Sequence, residues 1–182
     1  MPHLRDLQPH ISGVRLPGFS WLDRLKASAG ALLGIALTAL VCILLGREAD
    51  APWLVPPIGA SAVLLFAIPA SPLAQPWAVV GGNTVSALAA VVLTRFVPDP
   101  ALAAGCAVGV AILAMTALRC LHPPGGAAAL LVALGGAEGP AHSWLFALQP
   151  VGLNSLLLVL CAMLYHRASG HSYPHRAGQP GE

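Results

Sequence analysis

Charge is scarce here: nine Lys or Arg and seven Asp or Glu in 182 residues, 9% of the chain, crowded into the two ends and the short connectors. So few charges cannot cover a soluble domain, and one compact bundle of this length leaves no room for a separate catalytic domain. The net charge of +2, with the basic residues belonging mainly to the ends, gives no face for nucleic acid. Cysteine is equally thin. Cys42, Cys106, Cys120 and Cys161 lie scattered along apolar stretches with no paired spacing, which argues against a disulfide framework and makes three of them small buried hydrophobes. No paired acid, serine–histidine set or HExxH-like spacing occurs, so no catalytic residue is assigned, no cofactor is implied, and the chain is not expected to be an enzyme.

What is there is apolar: 57% of the residues are hydrophobic and the mean hydropathy is +0.76. That composition predicts an integral, all-α polytopic membrane protein whose first partner is the lipid bilayer. Four runs, 27–46, 78–96, 101–118 and 144–165, are long enough to span roughly 30 Å of hydrocarbon. The first follows a polar region, is too long for the core of a signal peptide and has no small-x-small cleavage site after it, so it belongs to the mature protein. Arg5, Arg15, Arg24 and Lys26 precede it and predict a cytoplasmic N-terminus in the cytoplasmic (inner) membrane. The domain reading is a cytoplasmic segment 1–26, a transmembrane domain 27–166, and a Gly-, Pro- and His-rich tail 167–182 expected to be disordered. His166, His171 and His175 receive no role.

Two further apolar segments are too short to span and begin on broken backbone. Pro56–Pro57 allows helix only over about 58–70, and "HPPGGAAALLVALGG" from His122 is the second. Laid against itself, the chain aligns "PPIGASAVLL" from Pro56 with "PPGGAAALLV" from Pro123. It also aligns "VGGNTVSALAAVVL" from Val80 with "VGLNSLLLVLCAML" from Val151, and Gly30 and Gly34 with Gly105 and Gly109. Two repeats, about 27–98 and 101–166, then each read span, short broken helix, span. A helix of about thirteen residues covers only about 20 Å at 1.5 Å per residue. If each half crosses three times, the halves are inverted, both termini are cytoplasmic, and the two short helices meet N-terminus to N-terminus near the midplane. Six segments result, or four if the short helices are re-entrant.

Two helix N-termini facing one another make an anion site through their backbone N–H groups and dipoles. The expected binding residues are Pro57, Ile58, Gly59, Ala60 and Ser61 at the first start, and Pro123, Pro124, Gly125, Gly126, Ala127 and Ala128 at the second. Gly59 and Gly126 are expected to let the ligand approach the backbone. Asn83 and Thr84, with Asn154 and Ser155 in the matching span, add amides and hydroxyls, and His122 adds a group that can gate or carry a proton. Other readings stay open: Asn83 and Asn154 as interhelical glue, His122 as a structural cap, an intramembrane metal or enzyme site using Cys120 and His122, and a non-transporting sensor or assembly factor.

"GASAVLLFAIPASPLAQPW", "VVGGNTVSAL" and "LHPPGGAAALL" stand in this order over a resemblance covering roughly residues 20 to 167. Together they resemble the signature blocks of the HPP family of integral membrane proteins, named for the motif seen here as His122, Pro123 and Pro124. The resemblance implies a domain usually described with four transmembrane helices, sometimes joined to a regulatory domain. Through plant relatives linked to nitrite transport into plastids, it implies a small inorganic anion as substrate. Two positions depart from the pattern: Asn83 stands where a histidine is common, and Trp77 where an arginine is. The expectation is a transporter or channel for a small inorganic anion, nitrite first, with a homo-oligomer left open.

Overall fold

The computed structural model describes residues 20–45, 54–135 and 143–175. Arg5 and Arg15, on which part of the orientation rests, lie outside the described residues, as does the chain beyond 175. The described residues form helices and turns only: α1 Trp21–Leu44, α2 Pro57–Ala67, α3 Pro76–Leu93, α4 Pro100–Ala117, α5 Pro124–Leu134 and α6 Trp144–Ala168. Four of these, α1, α3, α4 and α6, are long and apolar enough to cross a membrane. The other two have 11 residues each, about 16 Å at the α-helical rise, and cannot cross alone.

Local chemistry sets the ends. α1 begins at Trp21, not at residue 27, because Ser20 and Asp23 form a capping box: the Ser20 side chain accepts from the Asp23 N–H at 3.2 Å, and the Asp23 carboxylate accepts from the Ser20 N–H at 2.9 Å. α2, α3, α4 and α5 all carry proline in the first turn, where its missing N–H costs no helical bond. α2 stops at Ala67, earlier than expected, since Ile68 precedes Pro69 and takes φ −138°. α6 continues past Pro150 by widening into a π-helical stretch, Ala147–Leu153.

α3 lies centrally, packed on α4, α5 and α6, while α1 packs on α2 and α6. Alanines at the contacts, among them Ala87, Ala90, Ala107, Ala111, Ala128 and Ala129, let the helices approach closely. One end of the bundle gathers the start of α1, the end of α2, the start of α3 and the ends of α4 and α6. Tyr165 Oη donates to Lys26 O at 2.7 Å, and Trp77 Nε1 to Leu118 O at 3.0 Å. At the opposite end the Arg95 guanidinium lies over the Trp144 ring, 5.1 Å from its centroid.

The expected disorder from 167 onward does not hold as far as His175. Gly170, at φ +75°, ends the helix in the left-handed conformation that glycine tolerates, and the chain turns back with His171 N–H on His166 O at 2.9 Å. Tyr173 Oη then donates to Ala74 O at 2.9 Å, and the His175 N–H to Gln75 Oε1 at 2.8 Å. Composition alone marks such a stretch as loose, because its partners lie in another part of the chain.

Candidate functional site

The start of α2, the middle of α3, the residues before α5 and the turn of α6 that follows its π-helical part bring together a set of fully buried polar side chains: Ser61, Asn83, Ser86, His122, Asn154 and Ser155. Hydrogen bonding within it has one consistent direction. His122 Nδ1 lies 2.7 Å from the Leu73 carbonyl oxygen. A carbonyl only accepts, so Nδ1 carries the proton and Nε2 of the neutral ring is bare. Nε2 lies 2.8 Å from Ser61 Oγ, so the serine donates to it. Ser61 Oγ in turn accepts from Asn83 Nδ2 at 3.0 Å, which orients the amide. The second amide proton goes to Ser155 Oγ at 3.0 Å, and Ser155 donates to Val151 O at 2.8 Å.

Ser61 has a second acceptor, the Pro57 carbonyl at 3.2 Å. A proton arriving on Nε2 therefore needs only a rotation of the Ser61 hydroxyl toward Pro57, after which the imidazolium donates to Ser61 Oγ. The arrangement can take and release a proton with no heavy-atom movement. His122 is the one titratable side chain in this chain of bonds.

Four buried atoms have no hydrogen-bond partner among the described residues: Asn83 Oδ1, Thr84 Oγ1, Ser86 Oγ and Asn154 Nδ2. Each such atom costs about 1–3 kcal/mol. Their concentration in two neighbouring helices marks the interior where a polar solute would find hydrogen bonds. Asn154 does not meet Asn83. Its Oδ1 accepts from Cys42 Sγ at 2.9 Å, and Thr84 faces Gly152, where a Cβ would lie 3.1 Å from Thr84 Oγ1.

The helix starts differ from expectation in what their backbones offer. The N–H groups of Ile58 and Gly59 close turns on Val55 O and Pro56 O, and those of Gly125 and Gly126 on His122 O and Pro123 O, at 2.9–3.0 Å. These donors are not open to an anion in this conformation. Pro57, Ile58, Ser61, Pro124, Gly125 and Ala128 face inward, Gly126 is half-buried, and Gly59, Ala60, Pro123 and Ala127 are exposed. Close approach also falls on other glycines. A Cβ at Gly59 would meet nothing within 4 Å and one at Gly126 only Val108 Cγ1 at 3.9 Å. At Gly125 it would lie 2.7 Å from Ser86 Oγ and 2.9 Å from Gly82 O, and at Gly82 it would lie 2.6 Å from both Cys120 O and His122 Cβ. Gly82, Ser86 and the Leu73 carbonyl thus join the site without having been nominated from sequence. The pair Gly82 and Ser86, one helical turn apart beside Asn83, was the available signal.

Both ring nitrogens of His122 are engaged, and the Cys120 side chain packs on Gly81. Among the described residues no three His, Cys, Asp or Glu side chains are grouped to hold a metal ion.

Comparison with known proteins agrees with a membrane domain. The family profile described as HPP, transmembrane region, matches residues 16–174. Two transmembrane proteins of Dictyostelium discoideum are similar: one is 31% identical over 175 residues, covering 93% of this chain and 59% of the relative, the other 34% over 162 residues, covering 86% and 50%. The chain thus spans only a little over half the length of these curated relatives. No solved structure matches it.

Proposed function

The chain belongs to the HPP transmembrane family, and from its interior site we propose that it passes or transports a small inorganic anion, nitrite being the first candidate. The observation that carries this reading is the meeting of two Pro-Pro-broken helix starts on one side-chain pair, Ser61 Oγ and His122 Nε2, 2.8 Å apart. The positive ends of both helix dipoles converge there, inside an apolar bundle. With the first-turn N–H groups and both Asn83 amide protons already used, the anion is held by the remaining side-chain donors: the hydroxyls of Ser61, Ser86 and Thr84, the Asn154 amide, and a protonated His122. The Ser61–His122 bond is the closed state, and an anion arriving with a proton opens it by accepting from the Ser61 hydroxyl and from the Nε2–H that the proton creates. A charged imidazole is disfavoured beside two helix starts and favoured beside an anion, so anion and proton enter together.

Orientation follows from the charges. Arg24, Lys26, Arg119 and Arg167, with Asp23, belong to the end of the bundle where α1 starts, whereas Arg95 and Asp99 belong to the other. The positive-inside bias makes the first end cytoplasmic. α2 then runs from the interior to the cytoplasmic end, supported by Phe66 packing on Gly30 and Tyr165. This favours six membrane segments in two inverted halves. A single cysteine at residue 70 or 72 should be labelled from the cytoplasm, and labelling from the other side would reverse the arrangement.

The transport reading is tested by reconstituting the protein and measuring uptake of nitrite, nitrate, formate, chloride and sulfate. Saturable uptake of one or two small monovalent anions, driven by an inward proton gradient, is expected. Fluxes equal to those of empty vesicles for all five would overturn it.

A further inference from the structure

Two neighbouring carbonyls in the turn between α2 and α3 are held by partners from different parts of the molecule. The Leu73 carbonyl accepts from His122 Nδ1 at 2.7 Å, and the next one, Ala74, accepts from Tyr173 Oη at 2.9 Å. Gln75 completes the clamp: its Nε2 donates to Pro69 O at 3.0 Å and Ser71 O at 2.8 Å, while its Oε1 accepts the His175 N–H at 2.8 Å. The turn itself is one short 3-10 stretch, Pro72–Ala74, capped by the Ser71 hydroxyl. Its position is therefore set from outside as much as from within.

The C-terminal segment that holds it is seated in turn on α2 and α6. The Tyr173 ring lies 5.3 Å from the His166 ring, and His166 Nε2 lies 2.9 Å from Leu65 O in the last turn of α2. Burial pushes the Tyr173 phenol well above its ordinary range, so it remains a donor at any pH the protein meets. Gly170 supplies the reversal that lays the segment across the turn, and its left-handed φ makes that reversal easy to form and to release.

We propose that residues 169–175 are a latch on the interior site, with Tyr173 as a positioning residue that acts through the 71–75 turn to hold His122 in its Nδ1–H tautomer and keep the site covered. When the latch lifts, the Leu73 carbonyl withdraws, His122 loses the partner that fixes its proton, and the site opens toward the end of the bundle that carries the latch. The inference rests on the reading of His122 as the site's proton-carrying group, and it gives that site a regulator within the same chain.

Cys120 reports the state of the latch without any transport measurement. It is fully buried, stands two residues before His122 and packs on α3, whereas Cys42 is buried on α1, bonded to Asn154 on α6. The full-length protein in liposomes is treated with N-ethylmaleimide, and modification of each cysteine is followed by peptide mass spectrometry. Tyr173→Phe, which removes one hydrogen bond and keeps the ring, should speed Cys120 alkylation roughly 2- to 12-fold, the span that one typical net hydrogen bond allows. Tyr173→Ala should speed it more, and Cys42 should not change. In the same variants, histidine 15N shifts should show the Nε2–H tautomer of His122 gaining population. Unchanged Cys120 rates and an unchanged tautomer in both variants would overturn the latch, as would equal acceleration of Cys42, the mark of general loosening. A latch confirmed in this way in a protein that moves no anion would leave the inference standing and remove the transport reading.

Discussion

The starts of α2 and α5 are alike in backbone and opposite in what they bring. Both open on two prolines, with Pro56 at φ −52°, ψ −37° and Pro123 at φ −54°, ψ −39°, and both run 11 residues. Aligned on those prolines, His122 stands where the first start has Val55, and Ser61 where the second has Ala128; all four are buried. The two helix starts therefore build one bond, His122 to Ser61, and not two equivalent sites. The glycines divide in the same way. Gly30 and Gly34 in α1 are filled by the Phe66 ring, whereas nothing lies within 4 Å of a Cβ at Gly105 or Gly109 in α4, the positions aligned with them. The two helix starts share a backbone, but the polar side chains and the tight packing fall in different places around them.

The sharpest way to break this comparison is to add one methyl group at the glycines of the two helix starts and at Gly82 of α3, which packs against the second start. Gly82→Ala and Gly125→Ala force a Cβ against backbone oxygens at 2.6 and 2.9 Å, and overpacking of that kind costs about 1–3 kcal/mol or more. Gly59→Ala and Gly126→Ala meet open space, and the gain of roughly 1 kcal/mol in helix propensity should leave them neutral or more stable. Thermal unfolding in detergent separates the two pairs. Equal losses at all four positions would mean that the helix starts pack alike.

The aligned asparagines give a smaller contrast. Asn83→Ala removes the donor to both Ser61 and Ser155, a loss of about 1–3 kcal/mol, while Asn154→Ala loses only the weaker partner Cys42. The same unfolding measurement should rank Asn83 above Asn154, and the reverse order would put the working amide in the other half. Smallest is the pair on α1 and α4. Gly30→Ala pushes the Phe66 ring, a side chain able to shift, by a contact of 2.5 Å, and should lower stability by about 1 kcal/mol, with Gly105→Ala unaffected.

Much of this was legible in the sequence, because hydrophobic runs and prolines act locally. The four spans, the two broken helices and the polar residues Asn83, His122 and Ser155 follow from apolar length and from the cost of polar groups in hydrocarbon. Contacts across the chain were not legible. The Leu73 carbonyl reaches His122 from 49 residues away, and a backbone oxygen leaves no mark in residue type. The turns that occupy the Ile58, Gly59, Gly125 and Gly126 N–H groups depend on the αR geometry of Pro56 and Pro123, which composition does not report. Tyr173 looked like part of a loose tail because the turn it grips lies 99 residues earlier.

If one asymmetric bond between the halves is the working part, anion and proton must bind together on it. Nitrite, or whichever anion the uptake screen selects, added to purified protein in weakly buffered solution should draw about one proton from the medium per anion bound near neutral pH, where histidine titrates. His122→Gln should keep some anion binding, take up no proton, and show a flat transport rate between about pH 5 and 8. Anion binding without proton uptake in the parent, or the same uptake in the His122→Gln variant, would contradict the account.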